Sequence, residues 1–267
     1  SDIQAQGKPI QISLSETAFD GTTYGLNYYM IDNVLIDNVK TDNLKYTGSS
    51  IHIGGAAAGK RVTVRNSDMR NSSDDGLEIN AFDSITADNN TYSGTRQSIC
   101  LVWFGYPYSL TPPNILLRNQ NYTGALGAYW PRLTTASEPT QRSPMIPEWR
   151  AYTTDSVLKN RSWGNLTIDG GNIEFGVAEE WGSWSPTFNI GANTFPMSSV
   201  TIKNVTITAD GPNSGKFISI KQGSQLGTTL PIKIENVKVR RSVTSAFAPL
   251  TTADLNLSGA TQLTFNP

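Results

Sequence analysis

A five-residue phrase returns eight times along this chain: an apolar residue, any residue, an apolar residue, any residue, then Asn or Gly. It begins at Val34, Val62, Ile85, Ile115, Leu166, Val200, Ile232 and Leu255, and closes on Asn38, Asn66, Asn89, Asn119, Gly170, Asn204, Asn236 and Gly259. Successive starts lie 28, 23, 30, 51, 34, 32 and 23 residues apart. Alternation with period two is the pattern of a half-buried strand, and the closing Asn or Gly suits a tight bend with positive φ. No helical periodicity fills the intervals. Short strands returning in this way read as the coils of a solenoid. A second strand follows within most coils, at Ile51-His-Ile53, Leu77-Glu-Ile79, Ile99-Cys-Leu101 and Ile218-Ser-Ile220. The apolar positions are expected to stack as one core. An inward Asn at each bend is expected to bond its equivalents above and below, satisfying backbone groups that a buried turn would strand. A β-sandwich also strings short strands together, but its strands have no reason to share a bend residue at one phase. The periodicity therefore points to an all-β parallel β-helix.

Composition agrees with many short segments and turns. The chain has 22 Asn, 23 Gly and 14 Pro, and only 16% of its residues are charged, against a usual quarter. With 37% hydrophobic residues it can bury a core, which excludes wholesale disorder. A net charge of −1 gives no electrostatic case for nucleic acid or an anionic membrane. No run of 18 apolar residues exists, so no membrane-spanning helix is expected. A single Cys100 and a single His52 exclude an internal disulfide framework and a Cys/His zinc cage. We read residues 1–267 as one β-helix domain. Starting at Ser1, with no signal-type segment, it reads as a processed or excised part of a longer protein.

The coils, together with the phrase Ser72-Ser-Asp-Asp-Gly-Leu-Glu-Ile79, resemble the right-handed parallel β-helix proteins of the pectin-lyase-like superfamily. That group includes pectate lyases, polygalacturonases, alginate lyases and phage tailspike depolymerases. The likeness is at the level of the fold and covers roughly residues 30–260. The Asp-Asp-Gly phrase looks like the paired-aspartate motif of polygalacturonases, whose Asn-Thr-Asp, Gly-His-Gly and Arg-Ile-Lys motifs have no counterpart here. The resemblance implies a right-handed solenoid of about eight or more coils and a polysaccharide or oligosaccharide as partner. It also implies an extracellular, cell-surface or virion-associated setting, and leaves homotrimer association open, as in fibrous phage β-helices.

Chemistry has two candidate locations. Six of the 22 carboxylates fall within 21 residues, at Asp68, Asp74, Asp75, Glu78, Asp83 and Asp88. Aligning Ile51, Leu77 and Ile99 as inward neighbours puts His52, Glu78 and Cys100 in one outward row. Gly48, Asp74 and Arg96 then form a second row, and Gly76 leaves the floor between them bare. With coils about 4.8 Å apart, His52 is expected to touch Glu78 and Arg96 to touch Asp74. Retaining glycosidases need carboxylates about 5–5.5 Å apart and inverting ones roughly 6.5–9.5 Å. On an extended strand Asp74 and Glu78 are about 13 Å apart, so a bend at 73–75 is needed to bring the aspartates toward Glu78. Beside Glu78, His52 is placed for proton transfer. The alternative reading makes Asp74 and Asp75 turn formers, Asp74–Arg96 a surface pair, and His52 a surface residue. Cys100, in an apolar run, reads as a packing residue.

The second location is aromatic. All six Trp fall between residues 103 and 184, beside Tyr106 and its neighbours. The same stretch holds the 51-residue interval, so a loop excursion of about 123–163, rich in Pro, is expected there. Trp103, Tyr106, Trp130, Trp149, Trp181 and Trp184, with Glu180, are candidates for a groove in which flat rings stack on sugars. The competing reading is a satellite core that pins the loop. A polysaccharide-degrading enzyme follows, with hydrolysis placed ahead of β-elimination. No cofactor is needed for hydrolysis. The resembling lyases typically use Ca²⁺ with a Lys or Arg base, and Asp74, Asp75 and Glu78, with Arg96 nearby, offer oxygen ligands for it. A glycan-binding or structural β-helix, such as a tailspike or adhesin segment, explains the coils and aromatics without any active site.

Overall fold

The computed structural model describes residues 10–14, 31–42, 49–55, 59–72, 75–79, 82–93, 95, 97–101, 114–125, 148–149, 164–176, 188–192, 197–210, 216–222, 229–259 and 261–267. Among them the fold is all-β, and one 3₁₀ turn at Thr252–Asp254 is its only helical element. The backbone of the largest sheet runs through Ile31–Asp37, Gly59–Arg65, Phe82–Asp88, Asn114–Ala125, Asn165–Gly176, Ser199–Lys203, Leu230–Glu235 and Thr261–Asn266. These strands lie side by side in chain order, each parallel to the next. Sequence repeat and spatial neighbour therefore coincide. Val34, Val62, Ile85, Ile115, Leu166, Val200 and Ile232 share one cross-strand row, and all are buried. Ile36, Val64, Ala87, Leu117, Ile168, Ile202 and Ile234 form the next row, also buried. Each large aliphatic side chain so buried stabilises the fold by about 1.5–3 kcal/mol.

The eighth phrase is a correction. Leu255 and Leu257 pair with Ile218 and Ile220 in a different sheet. The row beside Ile232 and Ile234 is completed by Leu263 and Phe265 instead. The apolar alternation specifies a strand but not which sheet receives it, and both segments carry that alternation.

Two four-stranded parallel sheets interleave with the main one along the chain. The first contains Ile10–Leu14, Ile51–Gly55, Asp75–Ile79 and Gln97–Leu101. The second contains Glu148–Trp149, Phe188–Ala192, Ile218–Gln222 and Leu255–Ser258. Among the described strands a single pair is antiparallel, Lys238–Arg240 with Ala248–Pro249. Within the expected excursion, the strand that begins at Asn114 runs on to Ala125, and Glu148–Trp149 pairs with Gly191 and Ala192. The rest of 123–163 lies outside the described residues. An all-β chain with this large parallel sheet is compatible with a β-helix.

The bends carry positive φ as the sequence suggests, but they face the other way. Asn38, Asn66, Asn89, Asn119, Asn204 and Asn236 have φ between 47° and 58°, with Gly170 at 76°. Their side chains are exposed rather than inward. A left-handed residue breaks the period-two alternation, so the residue after it turns into the core. Those inward residues are Ser67, Asn90, Gln120, Val205 and Val237, all buried. Outside, the amides still link neighbouring bends: Asn89 Nδ2 donates to Asn66 Oδ1 and Asn236 Nδ2 to Asn204 Oδ1, both at 3.0 Å. Gly171, at φ 115°, is needed for close approach, because a Cβ there would lie 2.3 Å from the carbonyl oxygen of Gln120.

One position before each bend, Asp37, Arg65, Asp88, Arg118, Asp169, Lys203 and Glu235 stand in a single cross-strand row. The sign of charge alternates at every step. Arg65 donates through Nε and Nη2 to Asp37 Oδ2, Arg118 grips both oxygens of Asp88, and Lys203 Nζ lies 3.2 Å from Asp169 Oδ2.

Candidate functional site

The first small sheet presents the candidate acidic centre. Ile51, Ile53, Leu77 and Ile79 point into the core and are at most 1% exposed, so His52 and Glu78 between them face outward. Parallel pairing sets Ile51 opposite Leu77 and His52 opposite Glu78, and continues the row to Gln11 on one side and Cys100 on the other. His52 Nδ1 lies 2.7 Å from Glu78 Oε2. Ser49 Oγ donates to the same oxygen at 2.7 Å. A carboxylate oxygen accepts, so both contacts are donations to Glu78. Although the row faces outward, each of the two side chains is only 13% exposed, and Ser49 is fully buried. The pair is therefore held largely out of water, where hydrogen bonds and charges act more strongly than at an open surface.

Such a pair can hold and move a proton. A carboxylate receiving Nδ1–H fixes the imidazole ring in orientation and tautomer. The other titrating groups buried nearby in sequence are not candidates: burial pushes the hydroxyls of Tyr92 and Tyr122 far above the ordinary phenol range. Both phenols are committed elsewhere, Tyr92 to Gln120 Oε1 and Tyr122 to the carbonyl of Thr95.

Of the expected partners, Asp75 opens the strand Asp75–Ile79 in register with Gln97, so its backbone is extended rather than bent. Glu78 lies three positions further along the strand, about 10 Å between their Cα atoms. Gly76 is buried. Asp74 and Arg96 lie outside the described residues, as do Trp103, Tyr106, Trp130, Glu180, Trp181 and Trp184. Trp149 belongs to the two-residue strand Glu148–Trp149. Among the described residues, no group of three or more His, Cys, Asp or Glu is gathered in a way that could hold a metal ion.

Ser49 is the residue that sequence reasoning missed. It precedes the strand, and no alternation marks it, because its contact is with Glu78, 29 positions away. The only signal was positional: a small hydroxyl residue just before the His-bearing strand. Comparison of the chain with protein-family profiles, with characterised proteins and with solved structures finds no match. Among the described residues, no helix is long and apolar enough to cross a membrane.

Proposed function

We propose that the chain winds as a right-handed parallel β-helix and degrades a polysaccharide, with the His52–Glu78 pair as its proton-transfer centre. The observation that carries this reading is the 2.7 Å contact between two outward side chains on adjacent parallel strands, each mostly shielded from water. Hydrolysis of a glycosidic bond is the leading reaction. It needs one group that protonates the leaving oxygen and a carboxylate that acts on the sugar or on water. Glu78 and His52 supply the titrating pair, and Asp74 and Asp75 are the carboxylates nearest in sequence. The Trp- and Tyr-containing segments between residues 103 and 184 supply rings for stacking on sugar faces.

β-Elimination from a uronate is the second reading, and one observation favours it. An imidazole oriented by a carboxylate is a base suited to abstracting the proton beside the uronate carboxyl group. In that case Asp74, Asp75 and Glu78 would supply oxygen ligands to Ca²⁺ and Arg96 the cationic partner.

A panel of neutral and uronate-containing polysaccharides, scored together for new reducing ends and for ultraviolet-absorbing unsaturated products, tests both. Reducing ends alone identify hydrolysis, and both signals together identify elimination. Glu78→Gln keeps the side chain's shape and should lower turnover by about 100-fold or more. Full turnover in that variant, with the fold intact, moves the centre away from this pair. Binding to a glycan with no product of either kind, unaffected by the variant, leaves a glycan-binding β-helix.

A further inference from the structure

We infer that His52, rather than Glu78, is the group that exchanges the proton, with Glu78 its orienting carboxylate and Ser49 the residue that positions Glu78. This rests on the proposed proton-transfer reading of the pair and assigns the roles within it.

The assignment follows from the direction of the bonds. Ser49 Oγ and His52 Nδ1 both donate to Glu78 Oε2, each at 2.7 Å. Two donors converging on one oxygen fix the Glu78 carboxylate in place beside the ring. His52 has two ring nitrogens at different positions, and its Nδ1–H is committed to Glu78. In the neutral ring the acceptor is then Nε2, on the opposite side of the ring from Glu78. In elimination the proton beside the uronate carboxyl group arrives at Nε2 while its C–H electron pair forms the C=C bond and expels the glycosidic oxygen, and returning that proton to the expelled oxygen restores the starting ring. In hydrolysis the imidazolium gives its Nε2 proton to the leaving oxygen and regains one from the attacking water, and in both cases the Nδ1–H stays on Glu78. Ser49 anchors Glu78 from a fully buried position, and its loss removes one of the two donors on Oε2.

A free imidazole prefers the proton on Nε2, so this arrangement reverses the intrinsic choice. That reversal is measurable without any substrate, because His52 is the only histidine in the chain and gives a single set of ring signals. Nitrogen-15 NMR of the neutral ring, on the full chain, should show the Nδ1–H form favoured by about tenfold or more, the ratio expected of a hydrogen bond to a charged group. Glu78→Ala should return the ring to the Nε2–H form, and Ser49→Ala should reduce the ratio several-fold while leaving the backbone spectrum unchanged elsewhere. Should Glu78→Ala fail to fold, Glu78→Gln and Ser49→Ala read the same ratio. A ring predominantly in the Nε2–H form in the unaltered chain overturns the assignment. On any polysaccharide the chain cleaves, His52→Asn should abolish cleavage and Ser49→Ala should shift the pH profile; equal turnover with Asn at position 52 also overturns it. An Nδ1–H ring in a chain that cleaves no glycan supports the geometry and removes the polysaccharide reading, so the two failures are distinguishable.

Discussion

The inner lining of the bends is built in two ways along one molecule. Behind the left-handed Asn66, Asn89 and Asn119 of the N-terminal half the residue is polar: Ser67, Asn90 and Gln120 are buried and bonded to one another and to the backbone. The first bend, Asn38, is instead followed by the partly buried Val39. Asn90 Oδ1 accepts from the Ser67 amide at 3.0 Å, and its Nδ2 donates to the Val64 carbonyl at 2.9 Å and to Gln120 Oε1 at 3.3 Å. Ser67 Oγ donates to the Arg65 carbonyl and accepts from the Val39 amide, and Tyr92 closes the network on Gln120. In the C-terminal half the same positions are Val205 and Val237, each 1% exposed, with Ile207 and Val239 following. Backbone bonds across the bend persist in both halves, as Thr91 N to Ser67 O at 2.8 Å and Lys238 N to Val205 O at 2.9 Å. The common requirement is thus the left-handed outer residue. The inner residue is interchangeable in kind, but each kind fails differently when altered: a polar network is unforgiving of one missing member, while an apolar stack loses only contact area.

Asn90→Ala should be the most damaging of three tests. It leaves the Ser67 amide and the Val64 carbonyl without their side-chain partner, so denaturant unfolding should show a loss of about 2–4 kcal/mol. Val205→Ala, at the equivalent bend position, should cost about 1–2 kcal/mol through lost burial and a small cavity. Asn90→Val makes the N-terminal bend imitate the C-terminal one. If that variant proves as stable as the parent, the distinction between the halves collapses. A middle-sized effect is expected at the outer residues. Asn66→Ala and Asn204→Ala should each cost about 1 kcal/mol, because Ala at φ above 50° is strained, and the two values should agree across the halves. Gly at either position should restore most of the loss; a marked difference between Asn66 and Asn204 would show that the inner lining reaches the outer surface.

The smallest effect concerns charge. Asp37 and Asp88 are held below the ordinary carboxylate range chiefly by hydrogen bonds from Arg65 and Arg118, and Asp169 chiefly by the Asn204 amide. A folded pKa below the unfolded one favours the folded chain above the ordinary carboxylate range. That contribution is lost as pH falls through the folded values. The unfolding midpoint should therefore decline on acidification through and below that range, and added salt at neutral pH should reduce it slightly. Arg118→Ala should move the Asp88 titration, followed by NMR, back toward the ordinary carboxylate value. No movement there would mean that the Arg118 fork is not what holds the Asp88 carboxyl below its ordinary range.

Much of the fold was legible because the phrase that builds each strand of the main sheet is local. Seven of its eight occurrences lie in the main sheet at one register, and the bend Asn residues have the positive φ their type suggests. What failed is non-local. Leu255 and Leu257 satisfy the pattern as well as Leu263 and Phe265 do, and only packing against Ile218 or Ile232 decides between sheets. Extending the period-two alternation through the bend put Asn38 and its equivalents inside; the left-handed backbone cancels that extension by one residue. At the candidate site, the opposition of His52 and Glu78 follows from aligning Ile51 with Leu77, since parallel register carries every neighbour along. Ser49 could not be read in this way, because it precedes the aligned strand and reaches Glu78 through the path of the chain rather than through the pairing.

The alternating row that runs from Asp37 to Glu235 places a parity rule on this molecule. Each of these seven strands contributes one charge, opposite in sign to its neighbours in the row. Deleting or duplicating one of the inner repeats would set two like charges about 4.8 Å apart between adjacent strands, where they repel. Removing or inserting repeats two at a time preserves the order. The sheet can therefore lengthen or shorten most readily by even numbers of strands, and a slip of one strand during folding is marked as an error at its own surface.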